Sequence, residues 1–112
     1  MRRTLVTVYV LALLVVGGAQ IPSAQPKGER ATIKGEIVDL WCYLEGGDRG
    51  PAKKDCATAC ARAGNAIGVL DAKGNLYLAA GLLVDKMSQE VTVSGTLVRK
   101  GGVPMIYVDA VK

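Results

Sequence analysis

Residues 31–42, ATIKGEIVDLWC, decide the fold, because their side chains alternate as a β-strand requires. Ile33, Ile37 and Trp41 share one parity, while Lys34 and Glu36 fall on the other. Successive side chains of a strand point to opposite faces of its sheet. The pattern therefore predicts a half-buried strand over residues 31–41 that contributes one face to a core.

The end of this strand carries two separate expectations. Asp39 lies on the apolar parity, which predicts either a β-bulge that redirects its side chain or a position at the hydrated end of the strand. Trp41 is predicted to fill the core. The alternative is that Trp41 and Tyr43 flank Cys42 at a binding edge and stack on a ligand.

Further elements follow along the chain. A glycine-rich loop covers residues 45–51, and a helix is predicted over residues 52–63, with Pro51 at its first turn and Gly64 at its end. A narrow face of small residues on this helix is expected to approach the sheet: Ala52, Cys56, Ala59, Cys60 and Ala63. The remaining predicted elements are strands at 67–70 and 76–80 around a hairpin loop at 71–75, a short helix at 82–88, and strands at 90–98 and 103–111.

This order of elements is typical of an OB-type β-barrel. The predicted fold class is mainly β, a small five-stranded OB-like barrel over residues 31–112. The cysteine-bearing helix is inserted between strands 1 and 2, and the short helix lies between strands 3 and 4. Since the chain has no phenylalanine, its core must be built from Val, Ile, Leu and Ala.

The N-terminus has the layout of a secretory signal peptide. A basic start precedes an apolar run over residues 5–16 and a group of small residues. We expect residues 1–24 to be removed, with cleavage after Ala19 or Ala24, and residues 25–30 to form a flexible lead-in. The expected location is periplasmic or secreted. The alternative is an uncleaved membrane anchor, which is the one membrane contact that the sequence predicts.

Composition excludes several classes of function. The formal net charge is +4, but two arginines of that total lie in the predicted signal peptide, and the basic residues near the cysteines are interleaved with acidic ones. A nucleic-acid-binding protein would present a clearer basic stripe, so no nucleic-acid partner is expected. The chain has no histidine, which removes histidine-based triads and most acid–base schemes. No catalytic residue is predicted.

Three cysteines, Cys42, Cys56 and Cys60, carry the chemistry of the chain. One disulfide cannot close an odd number of thiols in an oxidising compartment. In the first interpretation Cys42 pairs with Cys56 or Cys60 and fixes the inserted helix to strand 1, which stabilises the fold by about 3 kcal/mol.

Two other interpretations use the thiols directly. In a three-thiolate metal site, Cu(I) fits three sulfurs alone, whereas zinc usually takes four ligands. Asp39 would supply either an oxygen ligand or a contact to one of the ligands. In a redox protein, Lys53, Lys54 and Arg62 would lower a thiol pKa, but the C-x-x-x-C spacing departs from the usual redox motif.

Two sets of residues resemble a known family. The segments KGEIVD at 34–39 and VTVSGT at 91–96 resemble small exported bacterial OB-fold domains. The segments DLWC at 39–42 and CATAC at 56–60, with Gly64 and GVL at 68–70, resemble a branch of that family with a D-x-x-C … C-x-x-x-C helix insertion. The resemblance implies a barrel and a periplasmic or secreted setting, but no established activity.

The sequence thus predicts an exported, non-catalytic binding or accessory module, stabilised by a disulfide, whose partner is an unidentified ligand or a periplasmic protein. The alternative is a periplasmic protein that binds Cu(I) or Zn through the three thiolates, and a thiol-redox protein is the third. Residues expected to line the edge of the cysteine site are Asp39, Trp41, Tyr43 and Lys54.

Overall fold

The computed structural model describes residues 27–112, so the predicted signal peptide lies outside the described residues. The strands are β1 (Glu29–Asp39), β2 (Ile67–Asp71), β3 (Leu76–Ala80), β4 (Glu90–Lys100) and β5 (Val103–Val111). The helices are α1 (Leu40–Gly46) and α2 (Lys54–Arg62), and two short 3₁₀ turns span Pro51–Lys53 and Val84–Lys86. No helix within residues 27–112 is long and apolar enough to cross a membrane.

The five strands close into a barrel in the order β1-β2-β3-β5-β4. Strand β1 is long enough to serve both of its neighbours: residues 35–39 pair with β2, and residues 29–36 pair with β4. The β3–β5 pair is parallel, and the other pairs are antiparallel. This arrangement confirms the predicted fold class, a mainly β, five-stranded OB-like barrel with the cysteine-bearing helix between strands 1 and 2.

Aliphatic side chains fill the barrel, as the absence of phenylalanine requires. The barrel strands contribute the buried residues Ile33, Ile37, Val69, Val93, Leu97 and Ile106. Leu83 and Met87, in the connection between β3 and β4, are fully buried with them. The unbranched Met87 is an addition to the predicted Val, Ile, Leu and Ala, and its flexible side chain suits an irregular gap.

The structure corrects the predicted course of the first strand. Strand β1 begins at Glu29, so the last two residues of the predicted lead-in belong to the barrel. It ends at Asp39, and the chain continues directly into α1. The alternation of side chains had predicted a strand through residue 41, so it did not indicate this helix. Trp41 lies on α1 with 68% of its surface exposed, so the prediction that it fills the core is wrong. The parity of a strand no longer governs a side chain beyond the point where the strand ends.

Two predictions about the helices also need correction. The helix predicted over residues 82–88 is only a 3₁₀ turn at Val84–Lys86. On α2, the side chains buried against the barrel are Ala57 and Ala61, not the predicted face that contains Cys56 and Cys60. Because both faces consist of small residues, size alone did not identify the one that contacts the core.

Close packing between β4 and β5 depends on Gly95. The register of the two strands shifts between Ser94 and Gly95, which marks a β-bulge. A Cβ at Gly95 would lie 1.9 Å from the carbonyl oxygen of Tyr107. That atom belongs to the backbone of the paired strand, so a side-chain rotation cannot relieve the clash.

Substitution Gly95→Ala is expected to lower the free energy of unfolding by about 3 kcal/mol or more, at or above the top of the usual range for overpacking. Urea denaturation followed by circular dichroism measures the change. Gly46→Ala is the matched control, because a Cβ there meets only Asp48 Oδ1, at 3.8 Å. The control should change stability by no more than about 1 kcal/mol. Equal stabilities for the two variants would contradict the proposed clash.

Candidate functional site

Asp39 joins β1 to α1 and fixes the start of that helix. Its side-chain Oδ1 accepts a hydrogen bond from the backbone N–H of Cys42 at 2.8 Å, as an N-cap residue does. Only 2% of Asp39 is exposed. Asp39 still pairs with Ile67 in the β1–β2 ladder. It therefore occupies neither a bulge nor the hydrated end of the strand, and its polar side chain serves the helix instead.

The barrel also positions the first turn of α1 through Leu40. The Leu40 N–H donates to the carbonyl oxygen of Ala66 at 2.9 Å, just before β2 begins. Its side chain lies over Gly68, where a Cβ would come within 2.6 Å of Leu40 Cδ2. Helix α1 is thus held against β2 by a backbone hydrogen bond and by packing over a glycine.

Polar contacts tie the connection between α1 and α2 to the barrel. Gly47 ends α1 in a left-handed conformation, and its N–H donates to the Tyr43 carbonyl at 2.8 Å. The Glu36 carboxylate of β1 then accepts from the Gly50 N–H and from Arg49 Nε, the latter at 3.2 Å. These contacts return the chain to β1 before α2 begins.

Helix α2 is attached to the barrel by two alanines. Ala57 and Ala61 belong to the buried core, whereas Cys56 is exposed and Cys60 is half-buried. Adjacent positions on a helix are about 100° apart, so the two cysteines form a row beside the buried alanine row. Small residues at the contact allow the helix axis to approach the barrel closely, which brings the cysteine row to the edge of the core.

The two helices bring all three thiols together. The sulfur atoms of Cys42, Cys56 and Cys60 lie within 4.8 Å of one another. All three are free thiols, so the predicted disulfide is not formed in the structure. Sulfurs that bind one tetrahedral zinc ion at about 2.3 Å lie about 3.8 Å apart. Small side-chain rotations would therefore suffice to place the three sulfurs around one ion.

Asp39 also affects the acidity of the cluster. The neighbouring Asp39 carboxylate is the main cause that raises the pKa of Cys42 to about 12, and burial adds to the shift. Burial is the largest cause that raises the pKa of Cys60, and the thiol of Cys56 contributes. Neighbouring acidic groups oppose one another's ionisation unless a cation balances their charge.

The other residues predicted at the edge of the site are less enclosed. Trp41 Nε1 donates to Glu45 Oε2 at 3.0 Å on the exposed side of α1. Tyr43 is half-buried on the same helix. Lys54, the first residue of α2, is exposed and forms no salt bridge within the part of the chain that the structure describes.

A polar groove elsewhere on the barrel offers less chemistry. It is lined by residues of β1, β2 and the start of β4, together with Arg49. Four of its five charged side chains form ion pairs: Lys34 Nζ lies 3.0 Å from Glu90 Oε1, and Arg49 Nε lies 3.2 Å from Glu36 Oε2. The fifth, Asp71, accepts a hydrogen bond from Asn75. The cysteine cluster is therefore the stronger candidate site.

A local signal for α1 was present in the sequence. Aspartate is among the favoured N-cap residues, and it often precedes a helix whose third residue donates its N–H to the cap. Asp39 fits that pattern as the cap, because Cys42 is the third residue after it. The strand alternation that includes Trp41 competed with this signal.

Alkylation should distinguish the three thiols of the metal-free protein. The thiolate is the reactive form, so a Cys42 pKa of about 12 keeps that thiol protonated and slow at pH 8. We expect Cys42 to react at least about tenfold more slowly than the exposed Cys56, as measured by peptide mapping after timed iodoacetamide treatment. Asp39→Asn should accelerate the alkylation of Cys42, because the carboxylate charge that disfavours the thiolate is lost. Equal rates for Cys42 in both proteins would contradict this cause.

No protein-family model, curated protein or solved structure matches this chain. The geometry of the cysteine cluster is accordingly the basis on which a function is assigned.

Proposed function

We propose that this protein binds one soft metal ion, Cu(I) or Zn²⁺, through the thiolates of Cys42, Cys56 and Cys60. One observation carries the proposal: three sulfurs from two separate helices converge within 4.8 Å. Soft thiolate ligands favour these two ions. Neither ion requires a histidine, which the chain lacks.

The attachment of both helices to the barrel supports this assignment. Cys56 and Cys60 lie four residues apart on one face of α2. Cys42 belongs to a different helix, which has its own connections to the barrel. The Asp39 cap and the buried alanines of α2 hold these two helices in place independently. A site whose ligands stand on anchored elements needs little reorganisation when it takes up an ion.

The accessibility of the thiols suits the entry of an ion. Cys56 is exposed, while Cys42 and Cys60 are half-buried. An ion can therefore reach the cluster from one side and still be partly shielded from water by the barrel. Three thiols that oppose one another's ionisation also favour a cation, because metal binding removes their protons and compensates the resulting negative charge.

Export forms part of the proposal. The basic start, apolar run and small residues at the N-terminus support a secretory signal peptide and a periplasmic or secreted location. In that setting a metal ion would also protect the thiols from oxidation. The partner would be a periplasmic protein that delivers or receives the ion.

The stapled binding module is the second candidate. The same closeness of the sulfurs supports it, because Cys42 lies near both thiols of α2. A bond between α1 and α2 would close a loop of modest length and add about 3 kcal/mol to stability. One thiol would then remain for a partner, and the barrel surface would bind an unidentified ligand.

Metal titration tests the thiolate site. The reduced protein should bind one equivalent of Cu(I) or Zn²⁺ in competition with a chelator, and each of Cys42→Ser, Cys56→Ser and Cys60→Ser should weaken binding at least about tenfold, because a hydroxyl is a poor ligand for soft ions. Ala59→Ser is the matched control, since it adds a hydroxyl to an exposed position of α2. Unchanged affinity in the cysteine variants would contradict the proposal.

Intact mass of the purified native protein separates the two candidates. The metal site predicts a native mass raised by one metal ion, and three alkylated thiols after denaturation with a chelator. A metal-free mass with a two-hydrogen deficit and a single alkylated thiol would support the stapled module instead. Peptide mapping would then identify the free cysteine.

A further inference from the structure

We infer that Asp39 supplies the fourth ligand of this site, and that the site consequently selects Zn²⁺ over Cu(I). The inference rests on the proposed function and extends it from a class of soft metals to one ion. It concerns a carboxylate that already has a structural role as the cap of α1.

The two oxygens of Asp39 are used unequally. Oδ1 accepts the N–H of Cys42 at 2.8 Å, whereas Oδ2 is buried and has no hydrogen-bond partner in the described part of the chain. Within residues 27–112, no lysine or arginine forms a salt bridge with this carboxylate. A buried polar atom without a partner destabilises the fold, and a charged one does so more strongly.

Helix capping does not account for the second oxygen. Serine, threonine and asparagine cap helices about as well as aspartate, and none of them carries a second acidic oxygen. At a position only 2% exposed, aspartate is therefore the more costly choice for a cap alone. A cation near Oδ2 would compensate this cost.

The cap also holds the carboxylate beside the cluster. The hydrogen bond from the Cys42 N–H attaches Asp39 to the same turn of α1 that presents the Cys42 thiol. The other two sulfurs lie within 4.8 Å of the Cys42 sulfur. The unpartnered oxygen therefore belongs to the residue that caps the turn bearing Cys42. It lies outside the group of ligand atoms that fall within 4.8 Å of one another, so it must approach the sulfurs when an ion binds.

Ligand chemistry then favours zinc. Zn²⁺ adopts four-coordinate tetrahedral geometry and accepts carboxylate oxygen at about 2.0–2.2 Å together with thiolates. Cu(I) is satisfied by soft sulfur ligands and gains little from a hard oxygen. Three thiolates and one carboxylate carry four negative charges, of which Zn²⁺ balances two and Cu(I) balances one. The partly buried setting makes that difference larger than it would be in water.

Asp39→Asn separates the ligand from the cap. Asparagine keeps the shape and the oxygen that accepts the Cys42 N–H, but it places an NH₂ group, which cannot bind a metal as a donor of electrons, where Oδ2 stands. Asp39→Ser is a second variant that retains capping with a shorter side chain. Asp55→Asn is the control for charge, because Asp55 is an exposed carboxylate next to Cys56 on α2.

The experiment compares the reduced wild-type protein with these three variants in chelator-competition titrations with Zn²⁺ and with Cu(I). Asp39→Asn and Asp39→Ser should weaken Zn²⁺ binding at least about tenfold and change Cu(I) binding by less than about threefold. Asp55→Asn should change neither by more than about threefold. Bound Co²⁺, used as a spectroscopic substitute for Zn²⁺, should show shifted d–d bands in Asp39→Asn. The metal-free Asp39→Asn protein should unfold at the same temperature as wild type or higher.

The outcomes distinguish the two levels of the proposal. If Asp39→Asn binds Zn²⁺ as tightly as wild type with the same Co²⁺ spectrum, Asp39 is only a helix cap, and the three-thiolate function stands without it. If the affinities for Zn²⁺ and Cu(I) fall equally in the Asp39 variants, Asp39 positions α1 without selecting the metal, and the inference is overturned. If the wild-type protein binds neither ion, the proposed function itself fails.

Discussion

The hydrogen bond from the Cys42 N–H to Asp39 Oδ1 is the interaction on which the site depends. Asp39 still belongs to the β1–β2 ladder through its pairing with Ile67, and it also caps α1. One residue thus ends a strand and begins a helix without an intervening loop. The direction of α1, the exposure of Trp41 and the place of the Cys42 thiol all follow from that change of backbone conformation.

The barrel provides what two short helices lack. Helices of seven and nine residues are too short to be stable alone, since isolated helices of fewer than about 12 residues are marginal in water. Leu40 packs over Gly68, and Ala57 and Ala61 join the barrel core. Tertiary contacts therefore hold both helices, and the relative position of the thiols is set by the closed sheet beneath them.

Local pattern was sufficient for the barrel and insufficient for the site. Alternation over β1 and β4, and turn residues such as those around Gly74, predicted the strands within a few residues, because half-buried strands impose a period of two. The apolar parity continued to Trp41 although the strand stopped at Asp39. At residues 39–41 the sequence was compatible both with a continued strand and with a helix capped by Asp39. Backbone hydrogen bonding in the folded chain selects the helix.

The same limit applies to α2 and to the thiols. Alanine and cysteine are of similar size, so the sequence could not indicate which row of small residues the barrel would cover. The spacing of Cys42 from Cys56 and Cys60 defined a loop length but not the separation of the sulfurs. That separation results from the Asp39 cap, the contacts of Glu36 with the loop and the packing of α2, which act together only in the folded chain.

The site can carry an electrostatic cost because the core does not depend on it. A buried carboxylate oxygen without a partner opposes folding of the metal-free protein. Zinc fingers, by contrast, fold only when the metal binds, because the metal supplies much of their folding free energy. Here four strands contribute buried aliphatic side chains and β3 packs against them, and the barrel closes through backbone pairing that does not involve the cysteines. Binding of an ion would then relieve a cost that the fold already tolerates, so metal affinity and fold stability would be coupled without either being required for the other.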